Sequence, residues 1–401
     1  MNRFLALAAT LVLTACATHS DVRAHVFETR GVWVATVANI DWPSRRDLSA
    51  EEQQAELIRI FDRAAALGLN SVFLQVRPAA DAIYPATHSP WSEYLTGTAG
   101  KAPTYDPLAF AVEEAHRRGL ELHAWFNPFR AKHASSTSPL PASHIGVRRS
   151  DAVRQYGRQL WLDPGDVAAR NEVIGAIVDV VQRYDVDGVH VDDYFYPYPE
   201  RTETGDAIPF PDDPTWRSYR ASGGRLDRGD WRRDNINRFV RSMYARVKAV
   251  RPEVKVGISP FGIWRPNHPA QIRGFDAYSE IYADSRLWLR RGWVDYLAPQ
   301  LYWPIDQQAQ SFTTLLDWWM GQDRRDRGIV VGMSVSRVAS GRPNAITADE
   351  IARQIEAARK AGARGFILFS ARALMEDRGG VNAAITDALA RPMRPGGVTA
   401  R

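Results

Sequence analysis

Val186-Asp187-Gly188-Val189-His190-Val191-Asp192-Asp193-Tyr194 is the stretch that decides the fold. Its side chains alternate at a period of two, so it reads as a strand. Val189 and Val191 take one face, and His190, Asp192 and Tyr194 the other. Seven further apolar runs of similar length flank it: residues 30–37, 71–76, 120–126, 255–261, 296–303, 329–335 and 365–370. Helical patterns with clear punctuation separate them. Ser49-Ala50-Glu51-Glu52 is a capping box opening a helix that stops near Gly68. Asp106-Pro107 opens one ending at Gly119, and Thr347-Ala348-Asp349-Glu350 opens one ending at Gly362. Eight strands alternating with helices predict an α/β fold, a single (β/α)8 TIM barrel, over residues 29–391. That span exceeds the usual barrel of about 250 residues. The excess falls in residues 78–105, 128–162, 194–229 and 262–284, all leaving the carboxyl end of a strand, where barrels keep their active sites. Neither a second domain nor an internal repeat is legible, and the Pro/Gly-rich tail 392–401 is expected to be disordered.

The chain has 401 residues, 45% hydrophobic, 24% charged and 10% aromatic, with one cysteine. This composition supports a full core and excludes a disordered chain, a collagen-like repeat and a disulfide-stapled scaffold. A net charge of +5 is too small to argue for nucleic acid, although it suits a neutral or acidic polymer. The single cysteine, Cys16, ends Leu13-Thr14-Ala15-Cys16, a tetrapeptide resembling the lipobox of bacterial lipoproteins. Arg3 and the uncharged run 4–13 before it are too short to span a bilayer of about 30 Å and read as a secretion signal. The expectation is a signal peptide over 1–15, lipidation of Cys16 and a tether over 16–28. Ala17, rather than Asp, looks like the outer-membrane sorting version, which places the protein on the periplasmic side of that membrane. A plain cleavable signal with a coincidental cysteine is the alternative.

Alternation on the other strands turns Phe73, Gln75 and Arg77, then His123, Trp125 and Asn127, then Ala298, Gln300 and Tyr302, and finally Gly332, Ser334 and Ser336 inward. The last inward residue of most strands is polar: Arg77, Asn127, Asp192, Tyr302 and Ser336. A purely structural barrel fills with Val, Ile and Leu, and every buried polar group needs a partner, so this ring reads as an active site. Asp192 and Asp193 are adjacent and repel, so one should be hard to ionise unless a cation such as Arg77 or His190 intervenes. Glycoside hydrolysis typically needs two carboxyl groups, about 5–5.5 Å apart for retention and roughly 6.5–9.5 Å for inversion. Neighbours on a strand point in opposite directions, so Asp81, Glu93 and Asp284 are the candidate distal partners, Asp81 foremost.

Aromatic residues crowd the same loops: Trp42, Tyr84, Trp91, Tyr196, Tyr198, Trp264, Tyr302 and Trp303. Singly each reads as loop packing; as a set on one face they suit the apolar faces of sugar rings. The Arg-rich stretch 231–251 is explained by a solvated helix face. There is no GxxxxGK[ST] loop and no HExxH, and His123 and His190 read as core histidines, so no cofactor or metal is expected.

Arg30-Gly31-Val32-Trp33, Gln75-Val76-Arg77-Pro78, Pro90-Trp91-Ser92-Glu93-Tyr94-Leu95-Thr96-Gly97 and His123-Ala124-Trp125-Phe126-Asn127-Pro128 match a known pattern. So do the fourth-strand motif continued to Pro197, Ser259-Pro260-Phe261-Gly262-Ile263-Trp264-Arg265 and Pro299-Gln300-Leu301-Tyr302-Trp303. Together they resemble the bacterial glycosyl-hydrolase-like family ten over nearly the whole chain after the tether. The resemblance implies a (β/α)8 barrel with glycosidase activity. For enterobacterial members with a lipobox it implies hydrolysis of peptide-free peptidoglycan strands at the division site, with envelope or cell-division proteins as possible partners. A chitinase-like barrel would carry DGxDxDxE in its fourth strand; here His190 and Tyr194 replace the first inward Asp and the terminal Glu, which argues against carrying over its substrate-assisted mechanism.

The reading is a glycosidase with Asp192 or Asp193 as one catalytic carboxyl and Asp81, Glu93 or Asp284 as the second. Arg77 would orient a carboxylate or bind the lactyl acid of a muramic residue, and Asn127, Gln300 and Tyr302 would hold sugar hydroxyls. Trp91, His123, Trp125, His190, Tyr194, Trp264 and Trp303 complete the candidate binding surface. A glycan-binding lipoprotein without activity, or a glycosidase for another polysaccharide, remain the alternatives.

Overall fold

The computed structural model describes residues 28–87 and 89–391. The signal segment, Cys16, nearly all of the tether and the tail 392–401 lie outside the described residues. Eight parallel strands form one barrel-shaped sheet: β1 (Thr29–Val34), β2 (Ser71–Arg77), β3 (Glu121–Phe126), β4 (Gly188–Val191), β5 (Lys255–Ile258), β6 (Tyr296–Leu297), β7 (Val330–Met333) and β8 (Gly365–Leu368). Neighbours pair in register from β7 through β8 and β1 to β6, and bridges Leu297↔Ile329 and Gln300↔Gly332 close the ring. This is the predicted single (β/α)8 barrel.

Eight helices follow the strands: α1 (Ala50–Ala66), α2 (Pro107–Arg117), α3 (Val167–Arg183), α4 (Arg228–Val250), α5 (Ser285–Arg291), α6 (Phe312–Met320), α7 (Ala348–Lys360) and α8 (Val381–Ala390). Their starts are set by short polar side chains that satisfy the free N–H groups of a first turn. Ser49 and Glu52 form the expected reciprocal capping box, Asp106 accepts from Leu108 and Ala109 with Pro107 in the first turn, and Thr347 accepts from Glu350. Each helix turns an apolar stripe, such as Leu57, Ile60, Phe61 and Ala64 of α1, onto the outward faces of the strands.

Six of the eight strands, all but β2 and β3, stop earlier at their carboxyl ends than the apolar runs predict. In β6 the reason is local: Pro299 has no N–H to continue the ladder, so the strand proper is Tyr296–Leu297.

Inside, the barrel has its own apolar cluster, including Trp33, Phe73, Trp125, Tyr296, Ala298, Val330 and Ile367. Its lower layer pairs glycines with rings. A Cβ on Gly31 would stand 2.5 Å from Phe73, one on Gly188 2.2 Å from His123, and one on Gly257 1.9 Å from Tyr296. Each glycine leaves the space that an aromatic from another strand fills, which is how a ring-rich interior reaches normal packing density. Among the described residues no helix is long and apolar enough to cross a membrane. Gly257→Ala is expected to overpack this layer and cost at least about 1–3 kcal/mol, read as a lower urea midpoint at unchanged m-value; an unchanged midpoint would show that the layer yields freely.

Candidate active site

A cavity of about 280 Å³ opens at the carboxyl end of the barrel. Gln75, Trp125, Asp192, Tyr194, Gln300 and Tyr302, each placed inward by alternation, line it. Trp33, Ala35, Ser259 and Phe369 complete its floor and wall, with Arg130, His133 and Tyr198 reaching in from loops.

Asp192 and Asp193 both line the cavity, at 7% and 3% exposure. The expected opposite orientation of neighbours fails because β4 ends at Val191. Asp192 N–H still donates to the Phe126 carbonyl at 3.1 Å, but the chain then turns tightly, Phe195 N–H donating to the Asp193 carbonyl at 2.8 Å. Asp192 Oδ1 accepts from the Asp193 backbone N–H at 2.9 Å. The Tyr198 hydroxyl donates to Asp193 Oδ2. Burial pushes both acids up. Asp193 rises further because the Asp192 charge opposes its ionisation, whereas Asp192 is held down by the Asp193 N–H, by Arg130 and by the Trp125 indole. The pair is therefore polarised, with Asp193 holding a proton more tightly than Asp192.

Arg130 is supplied by a small antiparallel sheet inserted after β3, in which Gln159–Leu162 lies between Arg130–Lys132 and Val153–Tyr156. Its guanidinium lies 4.5 Å from the centre of the Tyr194 ring, and its Nε donates to the Pro78 carbonyl. His133 in the same insertion is lowered to about 4 by burial and by Arg130 and Arg158, so it is neutral at physiological pH. Gln75 braces the rim. Its Oε1 accepts from Thr36 and Val37 N–H at 3.0 and 2.9 Å, and its Nε2 donates to Asn127 Oδ1 at 3.2 Å. Gln300 Nε2 donates to the Ser259 carbonyl at 2.9 Å, and the Tyr302 ring stacks on Phe369.

Several predicted site residues stand elsewhere. Arg77 does not face the cavity: a β-bulge sets Gln75 opposite Trp125 but Arg77 opposite Phe126, turning Arg77 into the outer shell. There it donates to the Asn127 and Pro128 carbonyls. Asn127, behind Gln75, supports the rim from outside the cavity lining. Asp81 accepts from Ala79 N–H at 2.8 Å and lines, with Glu93 and His144, a separate cleft of about 30 Å³. Burial pushes Glu93 up, but hydrogen bonds from Ser136, Thr137 and Ser138 bring it below its ordinary value. Arg46 pairs with it at 3.2 Å. Asp284 caps α5 and accepts from the Trp264 indole at 3.2 Å. None of the three distal acids reaches the cavity.

Trp264 stacks on Trp318, Trp303 meets Phe261 edge-on, and Trp91 bridges to Ala82; they pack loops rather than line the cavity. Trp42, Tyr84 and Tyr196 are likewise fully buried. His190 and His123 sit below the cavity. The Trp33 indole donates to His190 Nε2 at 3.1 Å, and His190 Nδ1 meets Tyr296 Oη at 2.9 Å. Burial and His123 push His190 well below its ordinary value, so it is a neutral strut. Among the described residues no group of three or more His, Cys, Asp or Glu is placed to hold a metal ion. Sequence reasoning missed Trp33, Arg130, His133, Ser259 and Phe369 as lining residues. Trp33 and Ser259 stand in quoted motifs and were legible by alternation; Arg130 and His133 depend on an insertion whose path periodicity does not reveal.

An Asp whose folded pKa is raised contributes stability that is present below its ordinary value of 3.8 and lost as pH rises through the folded value. Asp193→Asn removes that loss, so its melting temperature should exceed that of the wild type by a margin that widens from acid to neutral pH. A constant or shrinking margin in a pH series of thermal melts would contradict the polarised pair.

Comparison with known proteins agrees with this geometry. The glycosyl hydrolase-like 10 model matches residues 28–349. The chain is 40% identical over 376 residues to glycosyl hydrolase YngK of Bacillus subtilis, covering 91% of this chain and 72% of that protein. It is 36% identical over 341 residues to glycosyl hydrolase DigH of Escherichia coli K12, covering 80% and 75%. Among solved structures, the glycoside hydrolase domain of PgaB (BpsB) from Bordetella bronchiseptica shares the fold at a TM-score of 0.60 and 16% identity, covering 91% of this chain and 99% of that one. By sequence match across most of its length, the chain belongs to the glycosyl hydrolase-like 10 family.

Proposed function

We propose that this glycosidase cuts β-1,4 bonds between amino sugars in peptidoglycan strands free of peptide, from the periplasmic face of the outer membrane. The observation that carries the reading is the polarised Asp192–Asp193 pair on the floor of a cavity walled by Trp33, Trp125, Tyr194, Tyr302 and Phe369. Flat amphipathic rings suit sugar faces, and a buried carboxyl whose hold on its proton is strengthened can protonate a leaving oxygen. Family membership supports the reaction class, and the lipobox at Cys16 supports the envelope address and, with it, the polymer. Division-site or other envelope proteins would be its neighbours there.

Asp192→Asn should lower reducing-end release from peptide-stripped glycan strands by roughly 10²–10⁴-fold. Undiminished release would remove Asp192 from the mechanism, and sedimentation of intact strands with wild-type protein, without new chain ends, would favour a binding protein. Cleavage of another polysaccharide but not of denuded strands would reassign the substrate. Cys16→Ala should move the processed protein from the membrane to the soluble periplasmic fraction; retention on the membrane would refute the lipid anchor.

A further inference from the structure

The cavity contains a carboxyl pair but no distal carboxylate. Among the described residues, Asp192 and Asp193 are the only Asp or Glu lining it. Asp81 accepts from the Ala79 N–H, Glu93 from the Ser138 N–H, and Asp284 from the Leu287 N–H and the Trp264 indole. Asp41, behind Ala35, is also fully engaged: Oδ2 accepts from Ala35 N–H at 2.8 Å, and Oδ1 from the Ser370 hydroxyl and Arg372 N–H at 2.7 and 2.8 Å. Asp192 and Asp193 are consecutive residues, and Asp192 Oδ1 accepts from the Asp193 N–H at 2.9 Å. Glycosidases that use two carboxylates set them on opposite sides of the anomeric carbon, about 5–5.5 Å apart for retention or roughly 6.5–9.5 Å for inversion. Two carboxyls on consecutive residues, one folded onto the other's backbone N–H, do not straddle an anomeric carbon as acid and nucleophile or base.

From this juxtaposition, we infer that the nucleophile is supplied by the substrate, as the carbonyl oxygen of a 2-acetamido group on the sugar that donates its anomeric carbon; the departure from DGxDxDxE argued against such assistance, and a cavity lined, among the described residues, by no acid but Asp192 and Asp193 reverses that expectation. The inference rests on the proposed amino-sugar glycosidase reading and narrows it to N-acetylated sugars at the cleavage site. In the first step Asp193 gives its proton to the glycosidic oxygen as the C1–O bond breaks. The acetamido oxygen donates an electron pair to C1, closing a five-membered oxazolinium ring. Its N–H, now acidic, is held by the Asp192 carboxylate beside it. In the second step water adds to C1 from the side the leaving group vacated, and the Asp193 carboxylate takes a proton from it. The bond from C1 to the acetamido oxygen breaks, its electron pair returns to the amide, and the sugar leaves with its configuration retained.

The surroundings fit these roles. Arg130 favours the anionic form of Asp192, the member that steadies a developing cation. The Trp125 indole N–H on the cavity wall has no hydrogen-bond partner of good geometry. Ala35, Trp33 and Phe369 give the wall an apolar stretch on which an acetyl methyl can rest. Of the other hydroxyl side chains on the cavity, Tyr198 is committed as a donor to Asp193 and Ser259 Oγ meets His190 Nε2 at 3.0 Å.

The experiment uses the purified chain and peptide-free glycan strands carrying N-acetyl, N-monofluoroacetyl, N-difluoroacetyl or N-trifluoroacetyl groups, with de-N-acetylated strands as a fifth substrate. Fluorine withdraws electrons from the carbonyl oxygen while changing its size little. The expected result is a kcat that falls stepwise, on the order of a hundredfold or more from acetyl to trifluoroacetyl, with little change in KM. De-N-acetylated strands should be uncut, and NMR should show the retained anomer first. A flat fluorine series with cleavage of de-N-acetylated strands, or an inverted first product, would overturn the inference while leaving a glycosidase in place. No cleavage of N-acetylated strands would overturn the substrate reading beneath it. Tyr198→Phe should keep at least about a tenth of wild-type kcat; a loss as complete as that of Asp193→Asn, together with a flat series, would assign the nucleophile to Tyr198 instead.

Discussion

Two carboxyl groups on consecutive residues, closed away from water, oppose each other's ionisation. That constraint falls on Asp192 and Asp193, and much of the site is arranged around it. Arg130 and the Asp193 N–H favour charge on one member, while the other is left facing that charge with the Tyr198 hydroxyl as its donor. Such a pair is costly to keep folded at neutral pH, and it persists because the surrounding barrel over-determines it. Proton and charge are separated across adjacent residues, which is the asymmetry that acid catalysis requires.

The barrel beneath the pair supplies rigidity without supplying charge. Its lower layer is a set of rings fitted against glycines, and its polar atoms are matched to one another: Trp33 to His190, His190 to Tyr296 and Ser259, Tyr296 to His123. A neutral His190 adds no cation that would stabilise both carboxylates and erase their polarity. The cation that acts, Arg130, arrives from an insertion above the sheet and reaches the Asp192 side of the pair. Floor and roof thus divide the work, one holding geometry and the other setting charge.

The repeating pattern and the inward faces of most strands were legible because alternation of side chains is a local property of an extended chain. Gln75, Trp125, Asp192, Gln300 and Tyr302 reach the cavity for that reason. Arg77 shows the limit of the method, since one bulge in β2 reverses every direction after it. Asp193 shows another, because alternation ceases to apply once a strand ends and the chain turns. The distal acids Asp81, Glu93 and Asp284 looked like candidates by their place in loops at the correct end of the barrel. Caps and turns use the same carboxylates, and only spatial partners tell the two uses apart.

Sequence by itself determined the barrel, the face on which the site lies and the fourth-strand acids. All of these follow from short-range periodicity or from contiguous motifs. Tertiary structure decided which carboxyl groups line the cavity, which one holds its proton more tightly, and that Arg130 rather than Arg77 lines the cavity with them. Those outcomes depend on distances of a few ångströms between segments far apart in the chain, and on burial that no single segment controls.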